Sequence, residues 1–125
     1  MAKLLIDTNI LIDHLRGEPN ATALLRDVGA GRARASISVI TESELLAGRT
    51  LTPKQVREIE ALLSLLPKLA VTSRVARLAA QFQRAYRLEL PDALIAATAA
   101  LANATLVTRN LKHFRPVKEL RLHAL

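Results

Sequence analysis

Near the start of the chain, Leu4-Leu5-Ile6 runs without interruption into Asp7, after which Ile10, Leu11, Ile12 and Leu15 recur at helical spacing. The unbroken run predicts a strand buried on both faces, the kind that parallel α/β sheets contain. The later spacing predicts a short helix, capped by Asp7 or Thr8 and ended near Gly17-Glu18-Pro19. A second helix follows, with Asn20 as its cap, Ala21, Leu24, Leu25 and Val28 on its apolar side, and Gly29 and Gly31 as its stop. Residues 35–40 are rich in β-branched side chains and predict a second strand. The third helix then begins between Ser38 and Thr41 and ends at Gly48.

The fourth helix is the best signposted. Thr52 caps it, Pro53 takes the first helical position, Gln55 completes a capping box, and Val56, Ile59, Leu62, Leu63 and Leu66 line one side. Pro67 closes it and residues 68–72 form a short third strand. Ser73 caps a helix whose apolar line is Val75, Leu78, Ala79, Phe82 and Tyr86. Pro91 opens another, Ala-rich and apolar nearly all round over residues 93–102, which marks a centrally packed helix. Residues 105–108 read as a fourth strand, 109–114 as a turn or short helix, and 119–122 as a terminal edge strand. Strands alternating with helices in this way predict one α/β domain over residues 1–125, with a small parallel sheet flanked by helices.

Composition narrows the function. At 125 residues, half of them hydrophobic but only 2% aromatic, the chain builds its core from aliphatic side chains and has little surface for stacking bases. The absence of cysteine excludes disulfides, zinc-thiolate sites and thiol nucleophiles, and the three histidines, His14, His113 and His123, are scattered without metal-ligand spacing. A net charge of +7 favours a polyanionic partner, and thirteen of the eighteen basic residues are Arg, suited to forked phosphate contacts. No apolar run approaches the roughly 18 residues of a membrane span. The expected protein is soluble and cytoplasmic, with no membrane partner.

Acids fall where a parallel sheet would gather them. Ligands of open α/β sheets bind beyond the carboxyl ends of the strands. Asp7 follows the first strand, Glu42 and Glu44 follow the second, Asp92 lies early in the helix before the fourth, and Asn110 lies just after it. Carboxylates without His or Cys suit hard divalent cations such as Mg²⁺ or Mn²⁺, which lower the pKa of a bound water and neutralise phosphate charge. Each acid also has a structural explanation: Asp7 as a helix cap, Glu44 as the closing residue of a capping box from Thr41, and Asp92 as a first-turn acid favoured by the helix dipole. Asp13, Asp27, Glu58, Glu60 and Glu119 read as solvated surface acids. Among the basic residues, Arg74, Arg77, Arg84 and Arg87 share about a third of a helix circumference. Arg109, Lys112, Arg115, Lys118 and Arg121 recur every three residues, though Pro116 prevents one helical stripe. Either group serves as a solvated face or as an RNA track; nearness to the acids singles out Arg109, Lys112 and Arg115 as RNA-binding candidates.

Four segments in order resemble the PIN-domain ribonucleases, and within them the VapC-type toxins of bacterial toxin-antitoxin pairs. They are Leu5-Ile6-Asp7-Thr8-Asn9, the stretch from Thr41 ending in Glu44-Leu45-Leu46-Ala47-Gly48, Asp92-Ala93-Leu94-Ile95-Ala96-Ala97-Thr98-Ala99, and Leu106-Val107-Thr108-Arg109-Asn110 followed by His113-Phe114. Each is weak alone; four at compatible spacing are specific. The resemblance implies a three-layer α/β/α PIN-like domain. It implies a site of Asp7, Glu44 and Asp92 as metal ligands, with Asn110 beside them and Thr8, Asn9 and Thr108 in support. Glu44, not Glu42, precedes the Leu-Leu-Ala-Gly segment of the family pattern. The family often carries a further acid at the position of Asn110 or His113, and here both are non-acidic; Asn110 contributes a carbonyl without charge.

The resemblance further implies a homodimer, Mg²⁺-dependent endonucleolytic cleavage of RNA with Mn²⁺ as an alternative, and inhibition by a small cognate antitoxin. In the implied chemistry an activated water attacks phosphorus in line and leaves a 5′-phosphate and a 3′-hydroxyl, with Glu44 as ligand or water-orienting base. The alternative is a non-catalytic RNA-binding or partner-binding module on the same fold, motivated by the missing fourth acid. A phosphoryl-transferring hydrolase with an Asp nucleophile is disfavoured, because Asn9 stands where such enzymes usually carry a second Asp.

Overall fold

In a computed structural model, which describes residues 3–125, five parallel strands form one sheet in the order β3-β2-β1-β4-β5. The strands are β1 (Lys3–Ile6), β2 (Arg34–Ser38), β3 (Lys68–Leu69), β4 (Thr105–Val107) and β5 (Arg121–His123). The helices are α1 (Thr8–Leu15), α2 (Pro19–Gly29), α3 (Val39–Leu46), α4 (Pro53–Ser64), α5 (Ser73–Tyr86), α6 (Leu90–Leu101) and α7 (Leu111–Phe114). The chain steps outward from β1 through β2 to β3, then crosses back to lay β4 and β5 on the other side. Strand order therefore reverses between β1 and β4, and the carboxyl ends of those two strands flank the crevice where open α/β sheets bind ligands.

Alternation along the strands divides the core. Leu5 and Leu106 face one layer, packed with Val75, Ala79 and Phe82 of α5 and Ala93, Ala96 and Ala97 of α6. Ile6 and Val107, one residue on, face the other layer, with Ile10 and Leu11 of α1, Leu25 of α2, and Ile59, Leu62 and Leu63 of α4. The Ala-rich run of α6 is its buried side, where small side chains let it lie close to α5 and the sheet. This is the expected three-layer α/β/α arrangement.

Several boundaries shift for local reasons. Thr52 and Gln55 form the capping box of α4 as expected. The first helix ends just before Gly17, as expected, and Pro19 opens α2, with Glu18 rather than Asn20 accepting from the first free N–H groups. Gly17, at φ 83°, turns the chain between the two helices. Thr72, not Ser73, caps α5 by accepting from Val75 N. Val39 and Ile40 belong to α3, because Ser38 accepts from Ile40 N and starts the helix there. The third strand keeps only two residues, α6 begins one residue before Pro91, and the last strand lies at 121–123 rather than 119–122. Among the described residues no helix is long and apolar enough to cross a membrane.

Candidate active site

The centre of the site is Asp7, the residue immediately after β1. Only 4% of its surface is exposed. It occupies the N-cap position of α1, yet among the described residues its Oδ1 accepts from Thr8 N alone, at 2.8 Å, and not from the second or third amide that a capping side chain usually serves. Capping therefore does not account for its burial. Its Oδ2 accepts from Thr108 Oγ1 at 2.8 Å and from Asn9 Nδ2 at 3.3 Å. Thr108 follows β4, and the β1–β4 register, Ile6 opposite Val107, brings it beside Asp7 across 101 residues of sequence. Asn9 completes the joint by accepting from Arg109 N through its Oδ1 at 3.2 Å. The three supporting residues expected from the sequence, Thr8, Asn9 and Thr108, all reach the site.

Burial pushes the Asp7 carboxyl above the ordinary aspartate range. Hydrogen bonds from Thr108 and Thr8 pull it down, and the negative charges of Asp92 and Glu44 push it further up. The three acids thus share one electrostatic neighbourhood, assembled from β1, α3 and the first turn of α6.

Glu44 lies in the second turn of α3. With Ser38 as the cap, it is not the closing residue of a capping box. Its Oε1 instead accepts from Thr8 Oγ1 at 2.6 Å. Thr8 Oγ1 also lies 3.0 Å from Thr41 Oγ1, and a hydroxyl has one proton; Thr8 gives its proton to the carboxylate, so Thr41 is the donor in the second bond. Thr41, fully buried and one turn before Glu44, is a supporting residue that sequence reasoning missed. Its signal was there: it lies three residues from Glu44 on a helix, hence on the same face.

Asp92 is the first-turn acid of α6, as the dipole explanation has it, and its Oδ2 lies 3.4 Å from His113 Nδ1. His113 thus meets Asp92 directly from α7. Asn110 is exposed, and no hydrogen bond involves its side chain among the described residues; its N–H donates to Thr108 Oγ1 at 3.0 Å and its C=O accepts from His113 N at 3.2 Å. Its backbone is tied to the site through Thr108.

Among the described residues no three of His, Cys, Asp and Glu are gathered closely enough to form a ready metal cage. The donor set nevertheless fits a hard divalent cation. All three acids offer oxygen, a cation would relieve the repulsion acting on Asp7, and Glu44 and Asp92 each retain an oxygen outside the contacts described above.

The basic candidates separate. Arg109 Nε pairs with Asp13 Oδ2 at 3.0 Å, so Asp13 is not the solvated surface acid expected, and Arg109 ties the end of β4 to α1. Lys112 lines a pocket that also includes Asp92. Arg115 is exposed at the end of α7, and no salt bridge involves it among the described residues.

Residues 4–120 match the PIN domain family. Ribonuclease VapC19 of Mycobacterium tuberculosis is 37% identical over 122 residues, covering 94% of this chain and 96% of that one. A toxin-antitoxin complex from Klebsiella pneumoniae contains a chain that superposes with a TM-score of 0.80 at 33% identity, covering 94% of each chain. DNA-bound VapBC from Salmonella typhimurium contains one with a TM-score of 0.87 at 25% identity, covering 99% of this chain and 98% of that one. With a family match this long and a relative this similar over nearly the whole sequence, the chain belongs to the PIN-domain family, in its VapC group.

Proposed function

We propose that this protein is a magnesium-dependent endoribonuclease acting as the toxin of a toxin-antitoxin pair. The observation that carries the reading is a buried carboxylate, Asp7, held at the switch point of a parallel sheet within the field of two further acids. Neither capping nor packing requires that accumulation of charge. The ribonuclease name of the Mycobacterium relatives and the toxin-antitoxin complex of the Klebsiella neighbour support the activity and the partner. A homodimer is part of the same proposal.

Asp7, Asp92 and Glu44 would hold Mg²⁺ or Mn²⁺, which when bound lowers the pKa of a water and offsets charge on the phosphate. The chain's own residues do the positioning. Thr108, Asn9 and Thr8 N–H fix the Asp7 carboxylate, leaving its direction little freedom. Thr8, backed by Thr41, holds Glu44. The excess of basic residues draws the RNA backbone to a site that its acids alone would repel.

The test is cleavage of single-stranded RNA by wild type and Asp7→Asn with Mg²⁺, with Mn²⁺ and with chelator. Cleavage by wild type that is lost in the variant and in chelator is expected; activity that survives both overturns the assignment. The non-acidic Asn110 and His113 favour a second reading, a PIN-like module that binds RNA or a partner without cutting. It predicts salt-sensitive RNA binding and no metal-dependent cleavage over long incubation.

A further inference from the structure

Asp92 lines a pocket of about 370 Å³ between the α5–α6 junction and α7, large enough for a phosphate and its ribose. Arg87, at the end of α5, and Lys112, in α7, line it with positive charge, and neither joins an ion pair among the described residues. Glu89 also lines the wall without pairing to either cation. Two contacts fix the frame. Tyr86 Oη donates to Glu119 Oε1 at 2.8 Å, and His113 Nδ1 meets Asp92 Oδ2 at 3.4 Å.

The backbone contributes two independent features. Glu89, at the N-cap of α6, makes no side-chain cap hydrogen bond, so the N–H groups of Leu90 and Asp92 have no side-chain acceptor there; Pro91 has none to offer. Arg87 adopts the left-handed conformation, φ 58° and ψ 33°, as the C-cap of α5. That position ordinarily takes Gly or Asn, and an arginine held there points to a use for its side chain. The same conformation removes Arg87 from the helical stripe it would share with Arg74, Arg77 and Arg84, and places it on the pocket wall instead.

We propose that this pocket is a phosphate subsite for single-stranded RNA, in which Arg87 and Lys112 bind a backbone phosphate flanking the scissile one. The inference rests on the ribonuclease reading above and names how that site holds its substrate. A guanidinium fork and an ammonium suit phosphate oxygens, and the uncapped amides of α6 add donors of the same sign.

The test is binding of a labelled single-stranded oligoribonucleotide across a salt series, in chelator and in the Asp7→Asn background, so that no cleavage intervenes. Arg87→Gly keeps the left-handed backbone, and Lys112→Gln keeps most of the side chain; urea midpoints confirm that both fold. The double substitution is expected to weaken binding about tenfold and to lower the salt slope by about 0.7, the value for one phosphate contact on a single strand. An unchanged affinity and slope overturn the subsite, as does a double variant that binds RNA normally but loses a protein partner. Because binding is read without turnover, failure of wild type to cut RNA overturns the enzymatic reading separately.

Discussion

Thr108 and Asp7, 101 residues apart in sequence, are joined by a 2.8 Å hydrogen bond from the threonine hydroxyl to the carboxylate. That bond spans the carboxyl ends of β4 and β1 and orients the acid on which the site depends. Thr108→Val keeps the volume and removes the donor. Cleavage is expected to fall about 10- to 100-fold, the usual effect of losing a group that orients a ligand. Stability should fall by about 1 kcal/mol, since Asn110 N–H also loses its acceptor. Thr108→Ser should recover most of both. RNA cleavage rates and urea unfolding of the three proteins check this, and a full-rate Thr108→Val would remove Thr108 from the site.

Asp7 makes stability depend on pH. Its pKa in the folded protein is raised above the ordinary 3.8, so the native state keeps the proton to higher pH than the unfolded chain does. The contribution to stability is full below the ordinary value and is lost as pH rises through the folded-state value. Asp7→Asn cannot ionise. Its amide still offers Oδ1 to Thr8 N–H but sets an NH₂ where Oδ2 accepted from Thr108 and Asn9, and that loss is independent of pH. In metal-free buffer the difference in unfolding free energy should therefore shift in favour of Asp7→Asn as pH rises from the acid range to neutrality. A difference that stays constant with pH shows that Asp7 carries no burial penalty.

Thr8 stands between Thr41 and Glu44. Thr8→Val leaves the Thr41 hydroxyl buried without its acceptor, at a cost of about 1–3 kcal/mol. Replacing Thr41 by Val as well removes the stranded group and should recover much of the loss, a coupling that a double-mutant cycle by urea unfolding measures. Cleavage should stay low in both proteins, because Glu44 has lost its anchor in each. Additive stability losses would show that the two hydroxyls do not act as a pair.

His113 offers the converse experiment. It already meets Asp92, so His113→Asp sets a carboxylate at one of the two places, with Asn110, where the family resemblance allows a further acid. The metal-free protein should lose stability from the added like charge. The Mg²⁺ concentration for half-maximal cleavage should fall about tenfold, in the range for groups around a metal site. A Mg²⁺ titration of both proteins decides it, and an unchanged or higher requirement places this position outside the site.

Much of this molecule was legible in its sequence because helices and strands announce themselves locally. The capping box at Thr52 and Gln55, the apolar line of α5 and the unbroken run before Asp7 depend only on neighbours a few residues away. They were enough to place the elements, the parallel α/β class, and Asp7, Glu44 and Asp92 near strand ends or helix starts. The misplaced caps, at Glu18 and Thr72, are sites where neighbouring residues are each chemically able to cap, and a half-turn of backbone decides between them. Contacts between distant segments were beyond such reasoning. Nothing near Asp13 in the sequence indicates that Arg109 takes it out of solvent, and nothing near Thr8 indicates that Thr41 backs it. The sequence alone determined which side chains could do chemistry and roughly where along the fold they would stand. The tertiary structure decided which of them meet, because strand order and register bring β1 and β4 side by side, and no local pattern encodes a partner 101 residues away.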